Sequence, residues 1–204
     1  RLLVEGQTSF SPSTQQADIW EELLKSDGQA KTFCMTSFGT EIVKTLAERI
    51  PKHQSCIAKT LHSIGLKTIV DTYFKGRQVE PDPYRSEKIL ARLKKITHNE
   101  LRRDHQELAD NVSELVSFSK LCGFSVPIND SQFEYLVDEY ALDIELDLET
   151  KLATTAVLKE SQLNVDTIDY DDMIWLPVVN ALPLPKFDML FVDEFQDLNI
   201  AQQN

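Results

Sequence analysis

The stretch Met189-Leu-Phe-Val-Asp193-Glu194-Phe-Gln196-Asp197 decides the fold class. Its apolar run, counted from Phe187 to Val192, is the strongest strand pattern in the chain, and it ends at once on two carboxylates. In open α/β sheets, ligands bind at the carboxyl ends of the strands. One carboxylate placed there can hold Mg²⁺, usually through water, and the next can orient or deprotonate an attacking water. Two acids after a strand also occur as a plain solvated terminus. The weight therefore falls on the next residues along the chain, Gln196-Asp197 and then Asn199-Ile-Ala-Gln202.

Working outward, residues 166–204 are α/β, and so is the amino-terminal part. Thr32-Phe-Cys-Met35 reads as a short buried strand, and Glu41 to Ile50 as a helix burying Ile42, Val43, Leu46 and Ile50, closed by Pro51. Ser55 to Ala58 is a second strand, with a helix from about Ser63. Before them, residues 10–28 read as a helix with Ile19, Trp20, Leu23 and Leu24 on one face, Ser13 as N-cap and Gly28 as stop. Strand–helix–strand alternation is the grammar of a parallel sheet. Residues 71–165 change character: Ile89, Leu90, Leu93 and Ile96, then Leu101, Leu108, Val112 and Leu115, recur at helical spacing. Phe133, Leu136, Val137 and Tyr140 follow, and then a helix near Leu146 to Lys159. This middle reads as an all-helical insertion.

The chain of 204 residues carries 33 acidic and 21 basic side chains, a formal charge of −12. The balance is uneven: residues 1–129 hold 18 basic and 16 acidic side chains, residues 130–204 only 3 basic against 17 acidic. Such acidity argues against nonspecific coating of nucleic acid, which depends on Lys and Arg displacing counterions. Lys75 to His105, with 9 basic and 5 acidic residues, leaves room for a local basic face, although a solvated helical surface is the commoner outcome. Hydrophobic residues at 42% exclude wholesale disorder. The most apolar stretch, Met173 to Pro185, is broken by three prolines and Asn180, so no bilayer span is expected. Cys34, Cys56 and Cys122 are odd in number and far apart, forming neither a disulfide framework nor a CxxC metal site. A reducing, cytoplasmic setting (or a nuclear one in a eukaryote) fits, and the chain reads as a fragment.

The run DEFQDLNIAQQ resembles motif II, the Walker B element, of superfamily 1 helicases of the UvrD/Rep/PcrA type. Four further elements are similar to family motifs and occur in the family's order. Phe10-Ser-Pro-Ser-Thr-Gln-Gln16 looks like the Q motif, in which Gln16, or its neighbour Gln15, would recognise adenine. Ser37-Phe38-Gly39 is similar to motif Ia, which lines the single-strand path; read alone, Phe38 is as well explained as a core residue. Thr60-Leu-His62-Ser63 resembles the TFHS element, whose Thr60 and His62 would face DNA, where aromatic and imidazole planes stack on bases. Ile168-Asp-Tyr-Asp-Asp172-Met-Ile resembles the DFDDML segment that re-enters the core; Asp169, Asp171 and Asp172 are read as structural, favourable charges at a helix N-terminus.

The resemblance implies an α/β fold, a partial RecA-like P-loop NTPase parallel sheet with an inserted all-helical subdomain. Residues 1–70 would begin subdomain 1A, 71–165 would be subdomain 1B, and 166–204 would return to 1A. It implies ATP and Mg²⁺ as cofactors, with Asp193 at the metal, Glu194 catalytic and Gln196 at the nucleotide. Single- or double-stranded DNA would be the partner, contacted through Ser37, Phe38, Thr60 and His62, and the remaining helicase domains are expected partners as well.

One family element is missing. A Walker A loop needs glycines whose backbone N–H groups cradle phosphates, then Lys and Ser/Thr. Lys25-Ser-Asp-Gly-Gln-Ala-Lys31-Thr32 ends in Lys-Thr but has Lys25 and Ala30 where the glycines belong, and lacks room for the flanking strand and helix. A lost strand there would leave a gap in the sheet. The leading expectation is a fragment of an ATP-dependent helicase moving 3′ to 5′ on single-stranded DNA. The alternatives are a non-catalytic DNA- or protein-binding module descended from one, or a helicase–nuclease of the RecB or AddA type.

Overall fold

Three parallel strands set the frame. β1 (Phe33–Thr36) lies at the centre, paired on one side with β2 (Cys56–Ala58) and on the other with β3 (Met189–Val192). The register places Phe33 opposite both Cys56 and Met189, and Thr36 opposite Val192. The computed structural model describes Asp18, Glu21 and residues 32–37, 39–49 and 56–203. The readings for the helix of residues 10–28, apart from Asp18 and Glu21, and those for Gln15, Gln16, Phe38 and the Lys25–Lys31 segment, lie outside the described residues.

β1 is buried along its whole length, as a central parallel strand with two ladder partners should be. Alternation of side chains sends Phe33, Met35, Cys56, Ala58, Met189 and Phe191 to one face, and Leu46 of α1 (Thr40–Arg49) packs on it. Asp188 fixes the entrance of the β1/β3 pair: its Oδ2 accepts from the Thr32 backbone N–H at 2.7 Å and from Thr32 Oγ1 at 3.1 Å. The expected gap does not fall between these three strands, which pair without interruption. What stays open among the described residues is the outer edge of both flanking strands, β2 and β3.

Between β2 and β3 the chain builds a helical body. It comprises α2 (Leu61–Tyr73), α3 (Arg85–Lys94), α4 (His98–Asp104), α5 (Gln106–Leu121), α6 (Asp130–Tyr140), α7 (Leu148–Leu163) and α8 (Asp172–Val179). Polar side chains cap these helices where the sequence changes register. Thr97 with Glu100 and Asn129 with Gln132 form reciprocal capping boxes for α4 and α6, and Asp147 Oδ1 accepts from Thr150 N at 2.7 Å to start α7. One apolar core runs through the body, from Ile69 on α2 through Leu101, Val112, Leu115, Leu136 and Leu158 to Trp175 and Leu176 on α8. Trp175 is fully buried, and its indole N–H donates to the Phe124 carbonyl at 2.7 Å.

α2 crosses close against α8, and glycine makes the approach possible. A Cβ on Gly65 would lie 1.7 Å from the Met173 carbonyl oxygen. Four residues beyond Met173 stands Pro177, which has no N–H, so that carbonyl cannot receive its helical hydrogen bond. The bare Gly65 backbone fits against the carbonyl that the proline leaves open. The architecture is α/β, with a small parallel sheet and many helices, and is consistent with a partial RecA-like domain carrying a helical insertion. No helix among the described residues is long and apolar enough to cross a membrane.

Candidate functional site

All three strands of a parallel sheet end at the same edge, and here that edge gathers chemistry. β1 delivers Thr36 and Ser37, the turn after β2 delivers Thr60 and His62, and β3 delivers Asp193 and Glu194. A small notch forms where they meet, lined by Thr36, Ser37, Leu61, His62, Val192, Asp193, Leu198 and Gln202. The backbone itself ties two of these ends together, since Asp193 N–H donates to the Thr36 carbonyl at 2.9 Å.

Past β3 the chain turns sharply. Glu194 adopts a left-handed conformation (φ 53°, ψ 48°) before a 3₁₀ turn at Phe195–Asp197 and the short helix α9 (Ile200–Gln203). An acidic side chain is held there against its backbone preference, a form of strain that concentrates at functional sites. Asp193, Glu194 and Gln196 are all exposed, and the Gln196 side-chain amide donates to Glu194 Oε2. Gln196 thus holds the Glu194 carboxylate. Leu198 and Ala201 are buried and anchor the segment, while Asn199 and Gln202 bond reciprocally through side chain and backbone.

Of the residues expected at a DNA path, Ser37 is buried in the notch. Thr60 caps α2, its Oγ1 accepting from Ser63 N at 3.1 Å, and does not line the notch. His62 sits in the first turn of α2. Burial pushes its imidazole below the ordinary range against the opposing pull of Asp171, so the ring is neutral at pH 7. Asp171 in turn has its carboxyl pushed up by burial, opposed by the Ser117 hydroxyl that donates to it at 2.6 Å.

The charges behind the site do more than decorate a helix terminus. Asp172 is buried with Arg85 Nη1 at 2.9 Å and Lys120 Nζ at 2.9 Å, and Lys120 also reaches Asp169 at 2.5 Å. Arg85 spends three further donors on the Ser161 and Asn164 carbonyls and on Thr167 Oγ1. The structural role read for Asp169 and Asp172 has this buried four-charge cluster as its physical basis. Arg85 belongs to the basic stretch Lys75–His105, and five of its eight companions there are occupied too. Lys88 pairs with Asp82, Arg92 with Glu160 and Asp166, Lys94 with Glu149, Arg102 with Glu87 and Asp110, and Arg103 with Asp104. Most of the stretch is thus taken up in ion pairs rather than offered as a free basic face.

Would the expected cofactors fit? Mg²⁺ takes few protein ligands and completes its octahedron with water and phosphate. A single exposed carboxylate at Asp193 suits that habit, and no cluster of three His, Cys, Asp or Glu exists among the described residues to hold a metal by itself. The phosphate cradle of ATP does not fit. Thr32, the only Walker A candidate hydroxyl, is bound to Asp188 at the entrance of β1. At about 3.3 Å per residue that lies roughly 13 Å from the Asp193 edge.

Sequence reading missed Thr36, Leu198 and Gln202 as walls of the notch, and Arg85 and Lys120 as buried cations. Gln202 carried a signal, its place in the run after Asp193-Glu194; Thr36 carried only its position at a strand end. A family model for the UvrD/REP helicase N-terminal domain matches residues 21–204. No curated protein and no solved structure gives a significant match.

Proposed function

Because the chain belongs to the UvrD/REP helicase N-terminal domain family, we propose that it is the DNA-path and Walker B portion of an ATP-dependent DNA helicase, whose parent motor moves 3′ to 5′ on single strands in the cytoplasm or nucleus. In this reading residues 1–70 and 166–204 form subdomain 1A and residues 71–165 form subdomain 1B. Asp193 is the Mg²⁺ ligand and Glu194 the catalytic carboxylate. Gln16 and Gln196 serve the nucleotide, and Ser37, Phe38, Thr60 and His62 serve DNA. The observation that carries the reading is the convergence of Ser37, His62 and Asp193 on one notch at the carboxyl edge of the sheet.

The nucleotide side is incomplete within this chain. Phosphoryl transfer depends almost wholly on charges that position and stabilise phosphate, and neither the sequence nor Thr32 supplies a cradle. ATP turnover by the isolated 204-residue chain is therefore negligible. That same feature favours the second reading, a non-catalytic binding module that keeps the DNA path. DNA contact rests mainly on stacking and a few polar groups, because six of the nine cations of the basic stretch are held by carboxylates of the chain.

Fluorescence anisotropy with a labelled oligo-dT, alongside calorimetry with Mg²⁺-ATP, tests the proposal. The expected result is single-strand binding weakened several-fold by His62→Ala, with no saturable nucleotide binding. Binding of Mg²⁺-ATP that vanishes in Asp193→Ala would show a nucleotide site working without a P-loop. Absence of any DNA binding by the folded chain would remove the DNA path and leave only a protein-binding module.

A further inference from the structure

Thr36 is 1% exposed, and its Oγ1 has no hydrogen-bond partner within the chain. Native proteins rarely leave a buried hydroxyl so, since an unsatisfied donor forfeits its solvation, and ordered water is the usual remedy. Thr36 opens onto the notch at the strand ends, whose cavity volume is about 10 Å³. That is close to one water by the same measure and far too small for a base or a phosphate. His62, Asp193 and Gln202 share its walls. The imidazole, kept neutral by burial, offers one donor and one acceptor. The Thr36 carbonyl also accepts the Asp193 backbone N–H at 2.9 Å, so its main chain already holds the residue across the notch.

We propose that the notch binds a single water molecule hydrogen-bonded to Thr36 Oγ1, the His62 imidazole and the Asp193 carboxylate, and that Thr36 is thereby a positioning residue linking the DNA-side histidine to the metal-side carboxylate. The functional meaning of the link rests on the roles given above to His62 and Asp193; the water itself does not. A change at the carboxylate, such as taking up a cation, reorients the water and is felt at the imidazole without movement of the backbone.

The test uses the full chain labelled with ¹⁵N at histidine, one pH, and ring spectra in which His62 is identified by His62→Gln. Asp193→Asn should move the His62 ring resonances. Thr36→Val, or Thr36→Ala if valine is poorly tolerated, should cut that response to less than half, and Thr36→Ser should preserve it. A water-selected NOE to the Thr36 side chain of the wild-type chain completes the set. The proposal is overturned by a His62 response of equal size with and without the hydroxyl, by no response to Asp193→Asn, or by no water contact at Thr36. A thermal midpoint that rises in Thr36→Val also overturns it, because it would show the hydroxyl to have been dry. Oligo-dT binding by the wild-type sample separates the two claims: its absence sinks the functional reading, while the ring spectra alone decide the water.

Discussion

Asp172→Asn is the sharpest perturbation of this fold, because it removes one charge from a buried set of four while preserving shape. Asp172 is 0% exposed; its Oδ2 accepts from Arg85 Nη1 at 2.9 Å and from the Asp169 backbone N–H at 2.9 Å, and its Oδ1 lies 2.9 Å from Lys120 Nζ. Asparagine leaves two buried cations, Arg85 and Lys120, facing the single carboxylate of Asp169, and turns one oxygen into an N–H₂ pointing at a cation. Removing one partner of a buried pair costs about 3–5 kcal/mol, a large share of the roughly 5–15 kcal/mol that hold a domain together. For a chain of this size that corresponds to a fall in thermal midpoint of roughly 6–20 °C, at about 2–4 °C per kcal/mol. Circular dichroism melts of wild type and variant measure it. Asp71→Asn is the control: it breaks the exposed Lys67–Asp71 pair, worth about 0.3–0.5 kcal/mol on a helix surface. A loss below about 1 kcal/mol in Asp172→Asn, outside the buried-pair range, would refute the claim that the cluster locks α3, α5 and α8 together. Acid should act through Asp169. Burial raises its carboxyl, but Lys120, Arg85 and the Asp172 N–H outweigh burial and hold it below the ordinary range. Its contribution is complete above the unfolded value of about 4 and is lost as pH falls through the lower folded value. Asp172, pushed up by burial, runs in the opposite sense and offsets part of that loss.

Gly65→Ala drives a methyl group to 1.7 Å from the Met173 carbonyl, so α2 and α8 must separate; a loss above about 3 kcal/mol, the top of the usual overpacking range, should appear in urea melts. Asn129→Ala deletes the half of the α6 capping box in which Asn129 Oδ1 accepts from Gln132 N and should cost about 1 kcal/mol, whereas Asn129→Gly costs only a few tenths, so equal losses would rule out capping as the cause. Burial pushes the Cys34 and Cys56 thiols up to about 11, so native thiols should resist iodoacetamide at pH 8 and react fully in denaturant. Their neutral forms favour the fold below pH 9, and that advantage should fade between about 9 and about 11 as unfolded thiolates form.

Most of the frame was legible because it obeys period and composition. The apolar run before Asp193 is a strand, Thr32–Met35 contains most of β1, and the leucine and isoleucine spacing between residues 89 and 158 is helical as read. Residues that depend on distant partners were not legible. Arg85 sits among nine basic residues and looks like any of them; only the fold shows that it alone enters the core, because Asp172, Ser161 and Asn164 are brought to it from 76 to 87 positions away. Lys120 is hidden in the same way at the end of a helix whose other last-turn residues give no hint of Asp169. Gly65 reads as a weak point in a helix until Pro177, more than a hundred residues later, explains it. Asp169, Asp171 and Asp172 were legible as structural, but the helix-terminus rationale captured only part of the reason. Asp171 makes no capping bond and is held instead by Ser117.

The candidate site divides along the same line. Its acidic end is local, written in nine consecutive residues, and its strain at Glu194 follows from asking a strand to turn at once into a 3₁₀ segment. Its other wall is assembled from β1, joined to β3 by the ladder, and α2, whose first turn meets β3 at the notch. That difference bears on what survives without a P-loop. Lys31-Thr32 cannot be recruited as a substitute, because Thr32 is fastened to Asp188 and moving it to the Asp193 edge would unpair β1 from β3. The wall that carries His62 has no such dependence: Thr60 caps α2, Gly65 seats it on α8, and the Arg85–Asp172 cluster secures α8 from behind. The half of the edge that carries His62 is therefore built to hold its geometry on its own, while the half that carries Asp193 and Glu194 is an exposed carboxylate pair. Binding to single strands and turnover of ATP should part company in this chain, the first depending on His62 and the second absent whatever occupies residue 194.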